Sequence, residues 1–173
     1  MDSSSLGTLL SVDHRRTLEF FVTGLIDVTP EEVDRQELLY NASVLAHYAQ
    51  TSVTSTEGFP TPTSLVNVFE ILIESLECWR DPGVLETAGA QCLLLTGFFE
   101  DQQRGRHNIG WFSKCGASFF ARASGLETMP KKAALLSCMS RNFEPWRQRH
   151  ARLSRELRDL PWLLNLPSPR TLQ

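Results

Sequence analysis

The sequence predicts an all-α fold, a single helical domain over residues 1–173 arranged as a bundle or globular array of about six to eight helices. Three observations carry this expectation. Apolar residues recur at intervals of three and four in one segment after another. Prolines and hydroxyl or amide side chains stand where helices should begin. No stretch alternates apolar and polar residues as a half-buried strand would, and no segment repeats another.

Taken in order, residues 13–26 form a first helix around Leu18, Phe21, Val22 and Leu25, weakened by Gly24. Thr29-Pro30-Glu31-Glu32 reads as a capped start, with Thr at the cap, Pro in the first helical position and Glu three residues after the cap. That second helix should run to about Gln50 and bury Val33, Leu38, Leu45 and Tyr48. Residues 51–63, TSVTSTEGFPTPT, read as a polar surface loop. Thr63 can cap a helix over about 64–80, with Leu65, Phe69, Leu72, Leu76 and Trp79 on one face. Asp81-Pro82 stops it and starts a helix over 82–99, whose AGAQCLLLTGFF is apolar on nearly every side and therefore central. A polar turn follows. The next helix, about 108–124, carries Phe112, Cys115, Gly116, Phe119 and Ala123 on one face, and Gly125 should end it. Gly116 and Ala123 permit close helix approach. Pro130 starts another helix, and Pro145 divides it from a last one reaching about Leu160.

A chain of 173 residues, 42% hydrophobic, can bury enough surface to fold without a metal or disulfide. No signal peptide or spanning segment is indicated, since the opening lacks a basic region and no apolar run is long enough. Cys78, Cys92, Cys115 and Cys138 lie inside apolar helical patterns and read as buried thiols, which points to a cytoplasmic protein. Net charge of −3 hides an asymmetry. Residues 1–100 hold 15 acids against 4 bases, a balance of −11, and residues 101–173 hold 5 against 13, a balance of +8. In an antiparallel array the two halves should pack together and neutralise each other.

Catalytic signatures are missing: no phosphate-binding glycine loop, no GxSxG elbow, no HExxH. His14, His47, His107 and His150 are far apart, so no metal, cofactor or catalytic residue is assigned. Glu70, Glu74 and Glu77 line one stripe, read as a solvated face rather than a general-base or cation site.

Two segments remain as candidate sites. GFFEDQQRGRHNIGWF, residues 97–112, crowds Arg104, Arg106 and His107 before a helix start that Asn108 can cap. Most of it is the polar turn that two apolar helices require; the remainder is a candidate anion-binding site at Arg104, Arg106 and His107. The last helix sets Trp146, His150, Leu153, Leu157 and Leu160 in a narrow seam, with Arg147, Arg149, Arg152, Arg155 and Arg158 around the rest. The seam reads as too narrow for a buried helix. Glu156 and Asp159 interrupt the basic face, so nucleic acid is not the expected partner. Trp146, Arg149, Leu153, Leu157 and Trp162 are the candidate partner-binding residues. Residues 161–173 are a candidate docking tail, either folded beside the seam or set against a partner protein or a second copy.

The stretch LLLTGFFEDQQRGRHNIGWFSKCGASFFARAS resembles a pattern of uncharacterised bacterial all-helical proteins over residues 91–124. Gly97, Phe98, Glu100, Arg104, Arg106, Trp111, Phe112, Gly116, Phe119 and Ala123 carry the likeness. It implies a helical fold and no activity. The sequence thus leads to a non-enzymatic cytoplasmic protein-binding module, a regulator that sequesters or modulates another protein such as a transcription factor. The alternative is a small-molecule or anion-binding protein, enzyme included, working at the Arg104–His107 loop. A cavity lined by that loop would favour the second reading; a closed core with exposed apolar surface would favour the first.

Overall fold

The computed structural model describes residues 3–54 and 80–159, and side chains from 14 to 50 and from 80 to 159. The described residues form helices joined by short connections, with no strand among them. The elements are α1 (Ser3–Asp27), α2 (Arg35–Thr54), α3 (Pro82–Leu93), a π-helical turn (Leu94–Phe98), α4 (Glu100–Gln103), α5 (Ile109–Leu126), α6 (Pro130–Arg141) and α7 (Phe143–Arg158). No helix of the described residues is long and apolar enough to cross a membrane. The expected helix over 64–80, with Glu70, Glu74 and Glu77, lies outside the described residues, as do residues 55–63 of the expected loop, Cys78 and the 161–173 tail with Trp162.

Several expected boundaries move, each for a physical reason. α1 begins at Ser3, ten residues earlier than its apolar periodicity suggests. α2 begins at Arg35 rather than Pro30, because Thr29 is already engaged. Its hydroxyl donates to Leu25 O and its N–H to Ile26 O, closing α1. Asp34 caps α2 instead, its Oδ1 accepting from Gln36 N (2.8 Å) and Glu37 N (3.1 Å). At its far end α2 continues through Thr54, into the stretch expected as loop. Two helices start where expected: α3 at Asp81-Pro82, with Asp81 accepting from Gly83 N and Val84 N, and α5 at its expected cap Asn108, which accepts from Trp111 N. α5 runs past Gly125 to Leu126, since Gly125 keeps a negative φ and the chain leaves through an extended Glu127.

The core lies where α3 packs along α5, the most extensive helix pair, with α6 on the other flank of α5. Phe112, Phe119, Phe120 and Ala123 of α5 meet Leu85, Ala88, Cys92 and Leu93 of α3, all buried. Gly116 makes the approach possible. A Cβ there would sit 2.4 Å from Phe143 Cζ and 2.7 Å from Cys92 Cβ. α7 crosses the π-helical turn and closes the remaining side with Phe143, Trp146, His150 and Leu153, all buried. The seam read as too narrow for burial is therefore core. Ala151 and Ser154, small enough to go under with it, widen the buried face beyond the large side chains.

Candidate functional site

The quoted loop is organised by the π-helical turn. Phe99 N donates to Leu94 O (2.9 Å), a five-residue span that inserts one extra residue into the helix. One residue is about 100° of helical phase, so everything after Leu94 is rotated away from where a regular helix would place it. Gly97 consequently faces α7, where a Cβ would lie 2.8 Å from His150 Cβ and 3.0 Å from Arg147 O. Glu100, which the apolar pattern places at the start of a solvated turn, is buried at 8% exposure.

Burial of that carboxylate requires cations, and the arginines supply them. Glu100 Oε1 accepts from Arg104 Nη2 (3.0 Å) and Arg147 Nη1 (3.1 Å), and Oε2 from Arg155 Nη2 (2.6 Å). Arg147 also donates to Thr96 O (2.9 Å) and to Glu144 (2.6 Å). Asp101 binds Arg155 (3.2 Å) and Arg158. Burial alone would raise the Glu100 pKa, but hydrogen bonds from Arg104 and Arg147 bring it below the usual carboxylate value. Hydrogen bonds from Arg155 and Arg158 hold Asp101 at about 2. Both carboxylates stay ionised, each accepting three hydrogen bonds from arginine. These are the electrostatics of a clamp between the π-helical turn and α7, unlike those of a base tuned near neutral pH.

The predicted anion residues do not converge. Arg104 is held by Glu100, Arg106 is exposed, and His107 stands edge-on to Phe112 with ring centroids 5.7 Å apart. Gly105 turns the chain between them at φ 84°. His107 borders a crevice with Leu95, Thr96, Gln103 and Phe112 that is too tight for a water molecule. Gln103 is buried there with no hydrogen-bond partner for either side-chain amide atom.

Of the predicted partner residues, Trp146 and Leu153 are buried within the chain, Leu157 is half-buried, and Arg149 lies over the Trp146 ring with Cζ 4.6 Å from its centroid. Trp146 Nε1 donates to Glu37 Oε2 (2.6 Å), and Asn142 Nδ2 donates to both Glu37 oxygens (3.0 and 3.1 Å). Next along the seam, His150 Nε2 meets Asn41 Oδ1 (2.9 Å), while Asn41 Nδ2 donates to Glu37 O (2.8 Å). Nothing bonds His150 Nδ1. Burial of the ring lowers its pKa to about 3. Sequence reasoning missed Glu37 and Asn41. Their signal was present: two polar residues four apart, adjoining the buried Leu38, Ala42 and Leu45 on the same helix.

Besides a groove of about 470 Å³ where α5 meets the end of α6 and the start of α7, lined by Lys114, Arg141 and Arg147 among others, two grooves of ligand size lie on α1 and α2. One, about 500 Å³, runs between α1 and α7. The helices touch at Gly24 and Leu153, where a Cβ on Gly24 would lie 2.8 Å from Leu153 Cδ1. Phe20, 53% exposed, lines the α1 wall and Leu157 the α7 wall. Glu19, Asp27 and Glu156 line it as well, against Arg16. The second groove, about 560 Å³, lies between α2 and α3 and is lined by Tyr40, Val44, Tyr48, Glu86, Ala90 and Gln91 among others. Neither is lined by Arg104, Arg106 or His107. Compared with known proteins, the chain matches no family model, no curated protein and no solved structure.

Proposed function

We propose that the chain is a non-enzymatic protein-binding module whose docking face is the groove between α1 and α7. The observation that carries this reading is the pairing of a large exposed apolar residue, Phe20, with the half-buried Leu157 across that groove. Exposed apolar surface beside a concave, polar-rimmed seat is what an interaction site offers. The lining, apolar at Phe20 and Leu157 with charged residues around them, suits the apolar side of an amphipathic helix. Three carboxylates against one arginine on the lining favour basic flanks on that helix. Covering such a helix in a transcription factor or an enzyme would sequester or modulate its owner, as a cytoplasmic regulator does.

The anion-binding alternative at Arg104, Arg106 and His107 draws less support, because Arg104 is already paired with Glu100 and neither groove reaches the loop. Capture from native cytosol with the wild-type chain, Phe20→Glu and Leu157→Glu tests the proposal, with light scattering to detect a second copy. The proposal expects a species bound by the wild type and lost by both variants, with melting unchanged in Phe20→Glu, whose side chain is exposed, and any loss of stability confined to Leu157→Glu. Capture unaffected by either substitution would refute the α1–α7 seat.

A further inference from the structure

We propose that the groove between α2 and α3 is a separate binding site for a small hydrophobic amine, a primary ammonium carried on an aromatic or short aliphatic body. The groove's volume of about 560 Å³ falls within the range of small-molecule sites. Its apolar surface comes from Val44, Ala90 and Leu94 and from the rings of Tyr40 and Tyr48. Both rings are fixed edge-on against aromatic neighbours, Tyr40 on Phe120 and Tyr48 on Phe99, with centroids 6.1 and 5.2 Å apart. Fixed tyrosine rings beside a cation-sized space attract an ammonium through the negative π face.

The lining carries one carboxylate, Glu86, among tyrosine, serine and threonine hydroxyls, the imidazoles of His14 and His47 and the Gln91 amide. Glu86 Oε1 accepts from Tyr40 Oη (3.0 Å), and Oε2 accepts from Lys132 Nζ (2.8 Å). A carboxylate offers about four lone-pair sites, so these two bonds leave capacity for a further donor. Gln91 Oε1, on the same helix and also on the lining, is buried and accepts no hydrogen bond. His14 and His47 are the basic side chains on the lining, which holds no lysine or arginine among the described residues, and Lys132 reaches Glu86 without lining the groove. Tyr40 remains a protonated donor, because burial and the adjacent Glu86 charge both raise its pKa. An ammonium in this groove would therefore meet the Glu86 carboxylate, with Gln91 Oε1 as a second acceptor that lacks a partner, while a carboxylate on the same body would be repelled by Glu86.

Titration calorimetry of the full chain with phenethylamine, and separately with 3-phenylpropanoate, tests this on two probes of nearly equal size and opposite charge. The expected result is saturable phenethylamine binding in the millimolar range or tighter, with the carboxylate at least about tenfold weaker. Glu86→Gln keeps an acceptor for Tyr40 and should lower amine affinity about tenfold. Gln91→Leu should lower it severalfold and leave melting unchanged or raised. No saturable amine binding, equal affinity for both probes, or amine binding untouched by both variants would each overturn the site. Neither variant touches the α1–α7 groove, so the result is independent of the protein-docking proposal.

Discussion

His150 gives the most direct thermodynamic test of the structure. Its ring is fully buried in the seam, bonded through Nε2 to Asn41 and through Nδ1 to nothing, with Gly97 of the π-helical turn against its Cβ. Burial disfavours the imidazolium and lowers the folded-state pKa from 6.5 to about 3. The native protein thus stays unprotonated there across mild acid, while the unfolded chain takes up a proton below its own pKa. Stability from this group is complete above about pH 6.5 and falls as the pH drops towards the folded value. The slope approaches about 1.4 kcal/mol per pH unit, so the loss between pH 7 and pH 5 is about 2 kcal/mol. For a chain of this size that corresponds to about 4–8 °C in melting temperature. His150→Gln keeps an amide for Asn41 and removes the titration. Denaturant unfolding of both proteins at pH 7, 6 and 5 is the assay, and its readout is the stability gap between them. His14, His47 and His107 are common to both proteins and cancel. Glu100 and Glu144 have folded pKa values below the usual carboxylate range, as does Asp101, so their contributions are lost only at lower pH than the range used. The gap should shrink by about 2 kcal/mol from pH 7 to pH 5. A gap that stays constant would mean that His150 is not held as a buried neutral ring.

Three further outcomes follow from the packing. Gly116→Ala places a methyl 2.4 Å from Phe143 Cζ and 2.7 Å from Cys92 Cβ, and should cost about 3 kcal/mol by calorimetry, with partial recovery in the Gly116→Ala/Phe143→Leu double variant. Trp146→Phe removes the 2.6 Å donor to Glu37 and should cost about 1–3 kcal/mol in denaturant unfolding; a change below about 0.5 kcal/mol would deny the buried bond its weight. Replacing Arg104, Arg106 and His107 together with Ser should change stability by no more than about 0.5 kcal/mol, since the Arg104 side chain is 64% exposed at its ion pair; loss of partner capture at intact stability would revive the loop as a site.

Much of this fold was legible from periodicity and caps, and its exceptions are local. Asp81 and Asn108 cap α3 and α5 as their positions suggest, and Phe112, Phe119 and Ala123 lie in the core that the α5 stripe predicts. The start of α2 was misplaced because Thr29 could cap forwards or close backwards, and sequence spacing does not distinguish the two. Glu100 was misjudged because a π-helical turn leaves no compositional mark, yet it shifts the phase of all that follows. The seam of α7 was underestimated because hydrophobicity patterns count large side chains and overlook Ala151 and Ser154. Neither groove was legible, since each is the space left between helices that are remote in sequence.

The split charge of the chain bears directly on where function can reside. An acidic first half and a basic second half suggest a surface waiting for a charged partner, and the arginines of α7 are the obvious candidates. Glu100 and Asp101 engage Arg147, Arg155 and Arg158, Glu144 adds to Arg147, and Arg152 donates to Val28 O. Arg149 lies against Trp146. A guanidinium fixed by two or three acceptors is a poor ligand for a free anion, because binding would first have to break those bonds. The basic face of α7 is thus largely committed to closing the fold over the π-helical turn. Both proposals accordingly rest on surfaces the clamp does not use, the grooves on α1 and α2. Apolar groups stand beside three carboxylates in the first groove and beside Glu86 in the second, which is why both proposals call for a ligand with a positive end.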